Sequence, residues 1–273
     1  MKKLIYLMVL TMCFQTFAQR KPKIKGNRSV VEVQNDLPPF NAIELNDDLD
    51  IVLKKSQQAG YSIEADDNLV DVLKFKVEGS TLFISSYYKI TAKKKLEITV
   101  FYEELMSIVM REGGIKAEDN ITSDVFDINL YETSRLEINL NAGLLNLNME
   151  GISAGDLNLA VDSLNITLKD RSDVRIYAVS RQGVINMYKG TSAKLEGMAD
   201  DFTINLYENA NLKAEKLEAK RVVATLQDSP NANIYAKEEF YLASSGSSKT
   251  HLYGDAKITL TSFLDSSQLH KEK

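Results

Sequence analysis

Beyond its first eighteen residues the chain contains no cysteine, since the single one, Cys13, lies in the N-terminal stretch. A disulfide framework is therefore excluded, and stability has to come from packing. Histidine is almost as scarce, with only His251 and His270, so no His/Cys cluster has the spacing of a metal centre. No G-x-S-x-G elbow presents a nucleophilic serine. Of the four prolines, Pro22, Pro38 and Pro39 precede residue 40, and Pro230 stands alone later. No stretch shows a 3.6-residue apolar period, and no apolar run is long enough to span a bilayer. Basic residues do not outnumber acids: net charge is −5. Residues 1–18 carry Lys2, Lys3 and no acid, so the remainder stands at −7. Nucleic acid is not an expected partner.

The N-terminus reads as a secretory signal. Lys2 and Lys3 form its charged part, Leu4 to Phe17 its apolar part, and Thr16-Phe17-Ala18 a small-x-small site with cleavage expected after Ala18. A lipoprotein reading at Cys13 is disfavoured because Met12 stands where a lipobox needs a small side chain. The expected location is exported, in the periplasm or at the outer surface. Residues 19–39, with five basic residues and no acid between Arg20 and Arg28, read as a linker. The body follows at 40–264, and 265–273 is a polar tail.

What is abundant is repetition. Short alternating segments recur with their middle apolar residue at Ile128, Leu147, Ile166, Ile185, Ile204, Ala224 and Leu242, at intervals of 19, 19, 19, 19, 20 and 18 residues. Phe126-Asp-Ile-Asn-Leu130 and Leu164-Asn-Ile-Thr-Leu168 are clean copies, whereas Gly183-Val-Ile-Asn-Met187 is less so. Period-two alternation marks strands with one buried face. Small or turn-forming residues follow at Ser134, Ser153, Ser172, Thr191, Ala210, Pro230 and Ser248, suited to a tight corner. A second strand then turns Leu136/Ile138, Val174/Ile176 and their equivalents inward. Nineteen residues hold two or three short strands and no helix. The expected fold is an all-β parallel β-helix of about seven regular coils, right-handed by the rule for parallel crossovers. Residues 40–114 form a less regular N-terminal part that caps the first coil, with Asp67–Lys76 as its only helix or bend.

That N-terminal part carries a resemblance. Phe40-Asn-Ala-Ile-Glu-Leu45, Leu49-Asp-Ile-Val-Leu53, Ile63-Glu-Ala-Asp-Asp-Asn-Leu69, Val77-Glu-Gly-Ser-Thr-Leu-Phe-Ile84 and Leu96-Glu-Ile-Thr-Val100 occur in that order before the Gly113-Gly114 pair and the repeats. Over roughly residues 40–255 the chain resembles the putative auto-transporter adhesin, head GIN domain family (DUF2807), common in secreted proteins of Bacteroidetes. The resemblance implies an exported β-helical protein and brings no catalytic residues with it.

Catalytic, metal and cofactor sites are not expected. His251 has Ser248 and Asp255 nearby, but it shares an outward column with Glu137, Asp156, Arg175 and Lys194 and reads as a solvated surface residue. Asn46-Asp47-Asp48-Leu-Asp50 and Asp66-Asp67-Asn68 lack the glycine-punctuated spacing of calcium loops. Uniform coils leave no groove walls for glycoside cleavage. The candidate binding surface is a pair of outward stripes. Asn129, Asn148, Asn186 and Asn205, with Thr167 and Thr225, form an amide ladder; Tyr131, Tyr188 and Tyr207 stand beside it, and Tyr177, Tyr235 and Tyr253 lie on another face. The expected function is a non-enzymatic binding or adhesion module presenting flat faces to glycan or protein. An envelope scaffold assembling through rod ends or faces is the alternative, and a polysaccharide-active enzyme a further one.

Overall fold

A computed structural model describes residues 21–273. The expected signal and its cleavage site lie outside the described residues. The N-terminal part comprises β1 (Lys23–Lys25), β2 (Val30–Asp36), β3 (Ala42–Leu45), β4 (Asp50–Lys55), β5 (Gly60–Asp66), α1 (Asp67–Val70), β6 (Leu73–Glu78), β7 (Thr81–Ser86), β8 (Lys89–Ala92), β9 (Leu96–Tyr102) and β10 (Ser107–Met110). The coils follow as β11 (Gly114–Leu130), β12 (Arg135–Met149), β13 (Ala154–Leu168), β14 (Asp173–Met187), β15 (Ser192–Leu206), β16 (Asn211–Leu226) and β17 (Asn231–Ser244). β18 (Lys249–Tyr253), β19 (Lys257–Phe263) and β20 (Gln268–Lys271) complete the chain.

The fold is a β-solenoid of about nine turns. From β10 through β20 every pairing between coils is parallel, and β12, β13 and β14 stay in unbroken nineteen-residue register from Arg135↔Ala154↔Asp173 to Met149↔Leu168↔Met187. Each long strand bends once, because its inward residues change parity. Leu136, Ile138 and Leu140 point inward on one side of the bend in β12, and Leu145, Leu147 and Met149 on the other, all at most 2% exposed. No coil buries these residues alone; stacking forms the core.

The return corner repeats a single backbone device. A left-handed residue recurs at Glu132, Gly151, Asp170, Lys189, Glu208, Asp228, Gly246 and Asp265, with φ between 51° and 81°. Two residues later comes the small residue read as a corner former, and Ser134, Ser153, Ser172, Thr191, Ala210 and Ser248 are all buried. Their size has a reason: they point into the rod just after the chain reverses. In several coils the hydroxyl also closes the turn, Ser134 Oγ donating to the Tyr131 carbonyl at 2.7 Å and Ser172 Oγ to that of Lys169 at 3.1 Å.

Glu208 holds its left-handed φ of 57° without the freedom of glycine. Glu208→Gly removes a strain of about 1–2 kcal/mol and adds roughly 0.5–1 kcal/mol of unfolded-state entropy. The expected net is a modest stabilisation, of order 0.5 kcal/mol by those two magnitudes. Chemical denaturation of the two proteins measures it; a loss of stability would mean the side chain contributes contacts that outweigh the strain.

Two expectations are corrected. Residues read as a linker carry strands: β2 pairs antiparallel with β5 from Val30↔Asp66 to Asp36↔Gly60, and β1 pairs with β8. Charge hid the alternation, since β2 is exposed along nearly its whole length and has no apolar face to display. The polar tail is likewise built into the rod, with β20 in parallel register on β18. These additions, and the coil fragments β3, β4 and β10 beneath β11, raise the count from the seven turns legible as repeats to about nine.

The N-terminal end is sealed. β5 and β6 run antiparallel to β9 and β7, departing from the parallel stack. Leu69 of α1 is fully buried, Val72 and Leu73 are nearly so, and Tyr61 stacks on Phe75 with centroids 4.1 Å apart.

Candidate functional site

Outward side chains on successive coils stand in columns at the strand spacing of roughly 4.8 Å, so identical residues meet. The asparagine ladder forms as expected: Asn148 donates to Asn129 at 3.2 Å and Asn205 to Asn186 at 2.9 Å, with Thr167 interrupting between them. A second amide column escaped the sequence reading. Asn146 donates to Asp127 at 2.8 Å and Asn165 to Asn146 at 3.0 Å, while Asn158 bonds Asn139 at 2.8 Å. Its signal was present as nineteen-residue Asn recurrence two positions upstream of the ladder. These amides largely satisfy one another.

The tyrosines divide. Tyr188 and Tyr207 stack on each other, 4.9 Å between centroids and 6° between planes. That stacking turns their faces along the rod and covers one face of each ring with the other. Tyr131 stands three rungs away, beneath the Arg111 guanidinium at 5.4 Å. Tyr235 and Tyr253 sit on neighbouring rungs and are partly buried. Tyr177 differs: it is 50% exposed and its rung neighbours are Asn158 and Glu196, not aromatic rings.

Beside Tyr177 the rod is concave. A trough of about 980 Å³ follows the bend of the coils, from the rung of Thr122 to that of Lys237. One inward column reads Leu140, Leu159, Ala178, Gly197, Leu217 on successive rungs, and the next reads Ala142, Val161, Ser180, Ala199, Ala219. The filling shrinks to Ala178 and Gly197 on the two rungs that carry Val179 and Met198 outward. The fit at Gly197 is tight: it has φ 115°, and an added Cβ would lie 2.0 Å from the Ala178 carbonyl oxygen. The outward column over this dent reads Asn141, Ala160, Val179, Met198, Glu218. Val179 is 41% and Met198 53% exposed, and Tyr177 precedes Val179 by two on the same outward side.

The rim is charged and paired. Arg181 bridges Asp162 at 2.9 Å and Lys220 bridges Asp200 at 2.6 Å. Hydrogen bonding to Asp200 holds the Lys220 ammonium above its ordinary pKa. These exposed pairs contribute little to stability; they fix the rim and leave the apolar floor as the unpartnered surface. The surface on offer is an apolar strip between charges.

Among the described residues no group of three His, Cys, Asp or Glu could hold a metal ion. His251 is half-exposed, pairs with Glu272 at 2.7 Å and stacks on His270, with no contact to Ser248 or Asp255 among its bonds. Tyr102 is buried with an unpartnered hydroxyl, and its pKa is pushed up to about 12, by desolvation first and by Asp119 second. It lies in the core, away from any groove. No helix among the described residues is long and apolar enough to cross a membrane.

A family model described as "Putative auto-transporter adhesin, head GIN domain" matches residues 39–184 and 156–256. The chain belongs to this family. As a GIN-domain protein it shares its fold with several solved structures. One, described as a "putative adhesin" from Parabacteroides merdae ATCC 43184, is 16% identical and superposes with a TM-score of 0.68 over 92% of this chain and 100% of that one. A "Putative lipid binding protein" from Parabacteroides distasonis ATCC 8503 is 20% identical, with a TM-score of 0.66 over 92% and 100%. A "putative adhesin" from the same strain is 15% identical, with a TM-score of 0.67 over 91% and 100%. At these identities the likeness establishes the GIN-domain fold alone. No curated protein matches the chain. The adhesin-type family supports a binding role and suggests a non-enzymatic one.

Proposed function

We propose that this GIN-domain protein is exported and acts as a non-enzymatic binding module, with a protein partner seated along the trough. The observation that carries this reading is the register pair Val179 and Met198, 41% and 53% exposed on the floor of the trough, with the 50%-exposed Tyr177 beside it. Soluble proteins rarely leave such clusters uncovered without a partner. An aromatic anchor flanked by aliphatic groups and rimmed by charge is the make-up of a protein-binding hot spot. Between the glycan and protein readings we favour protein, because Tyr188 and Tyr207 stack on each other while the exposed aliphatic pair Val179 and Met198 lines the trough. Export is supported by the signal-like residues 1–18 and agrees with an adhesin family.

Selection of displayed random peptides against residues 19–273 tests the reading. Selected peptides are expected to bind the Val179→Asp/Met198→Asp protein at least tenfold more weakly, and the Tyr188→Ala/Tyr207→Ala protein unchanged. Peptides indifferent to the first variant would remove the trough from the proposal. Binding on a glycan array that depends on Tyr188 and Tyr207 would replace it with the glycan reading. Uptake by phospholipid vesicles, the property named for one structural relative, would replace it with a lipid one.

A further inference from the structure

The two ends of the rod are unlike. At the N-terminal end α1 and the Tyr61–Phe75 stack cover the core, and the outermost strands β2 and β6 carry charges at Glu32, Asp36, Lys74, Lys76 and Glu78. At the C-terminal end nothing described covers the last rung. β19 hydrogen-bonds only to β17 and β20 only to β18, so each leaves one edge without a strand partner among the described residues. Ile258 and Leu260 lie directly over the buried Phe240 and Leu242, yet they are 39% and 49% exposed. Phe263 continues the same strip over Ser244 at 40%, and Leu264, at the place Tyr207 holds in its coil, stands at its rim at 58%. Here a section through the core faces solvent, bordered by two open edges.

We propose that a second copy of this chain covers that end, tail to tail, about a two-fold axis perpendicular to the rod. A cover must bring two strand edges at this separation together with an apolar centre between them, and another copy of the rung has that shape. Rotation about such an axis sets β19 antiparallel to its counterpart and β20 to its counterpart. The charges permit it. Pairing about Leu260 sets Lys257 opposite Phe263 of the other copy, and in β20 Gln268 falls opposite Lys271, so no two lysines face each other. The extra residue at Thr261, a bulge against Leu242/Ala243, limits pairing to short stretches on either side. Residues 257–273 form the contact, slightly fewer than the about 20–30 per side of a standard interface, which fits a reversible dimer better than a permanent one. One apolar open end per molecule closes the assembly at two; among the described residues β2 and β6 at the other end also pair on one side only, but their charges oppose edge-to-edge growth there.

Sedimentation velocity on residues 19–273, from about 1 to several hundred micromolar, is the test. The expected result is a monomer–dimer equilibrium that Leu264→Glu weakens at least tenfold while the melting temperature holds. Leu264 lies outside β19, so this variant leaves the rung's pairing intact; Leu260→Glu is expected to abolish the dimer. A protein that stays monomeric over the whole range overturns the proposal. So does a dimer that survives both variants and is lost with Val179→Asp/Met198→Asp, since that would place self-association in the trough. Species larger than dimers overturn the closure at two.

Discussion

Phe202→Ala is expected to cost about 3–5 kcal/mol, the range for removing a buried aromatic side chain, and Gly183→Leu about 1–3 kcal/mol, although leucine is what the repeat pattern asks for at position 183. Phe202 is 2% exposed. Its ring fills the space over the neighbouring coil: a Cβ added at Gly183 would meet it at 2.2 Å. The two positions are register partners on adjacent coils, so the coil with no side chain borrows the volume of the next. Overfilling such a site costs roughly 1–3 kcal/mol and occasionally more. The double variant Gly183→Leu/Phe202→Ala is therefore expected to be more stable than the sum of the single losses predicts, by at least 1 kcal/mol on the scale of contacting pairs. Urea unfolding of the four proteins gives the coupling. Strict additivity would show that the coil relaxes around an extra side chain without help from Phe202.

The second large effect concerns length. Deleting residues 153–171 removes one nineteen-residue period and joins Ile152 to Ser172, which occupies in its coil the place that Ser153 occupies in the one before. The shortened protein is expected to keep its β-sheet circular dichroism and a cooperative melt, because every inward residue still meets an inward residue. Deleting residues 153–162 removes fewer residues, yet is expected to abolish the cooperative transition. It breaks the period at one coil, and a shift of register exposes the apolar face. Equal tolerance of both deletions would contradict a core made by register between coils. Equal intolerance would show that the third coil holds contacts its neighbours cannot replace.

Much of this was legible beforehand. The inward columns at Ile128, Leu147, Ile166, Ile185, Ile204, Ala224 and Leu242 are buried as the period requires, because alternation at fixed spacing is both a sequence pattern and the rule by which a solenoid buries its core. The corner at Ser134 and its equivalents was equally legible, since a small residue recurring at one phase has few other uses. What escaped was structure without alternation. β2 has no buried face, and β20 is polar at three of its four residues, so neither shows a period. The site was only partly readable. Tyr188 and Tyr207 could be placed on one face from spacing, but whether their rings turn outward or onto each other depends on rotamers. The floor of the trough at Val179 and Met198 adjoins the small inward residues Ala178 and Gly197, and single small residues in a repeat read as noise until the rungs are stacked.

That adjacency has an evolutionary side. The contour a partner would feel at Val179 and Met198 rests on residues the partner never touches. Enlarging Ala178, or moving the glycine of position 197 to another rung, would shift the wall with every outward side chain unchanged. Two relatives could then present the same surface letters and have different partners. Divergence in recognition among proteins of this kind should be sought on the hidden side of the wall as well.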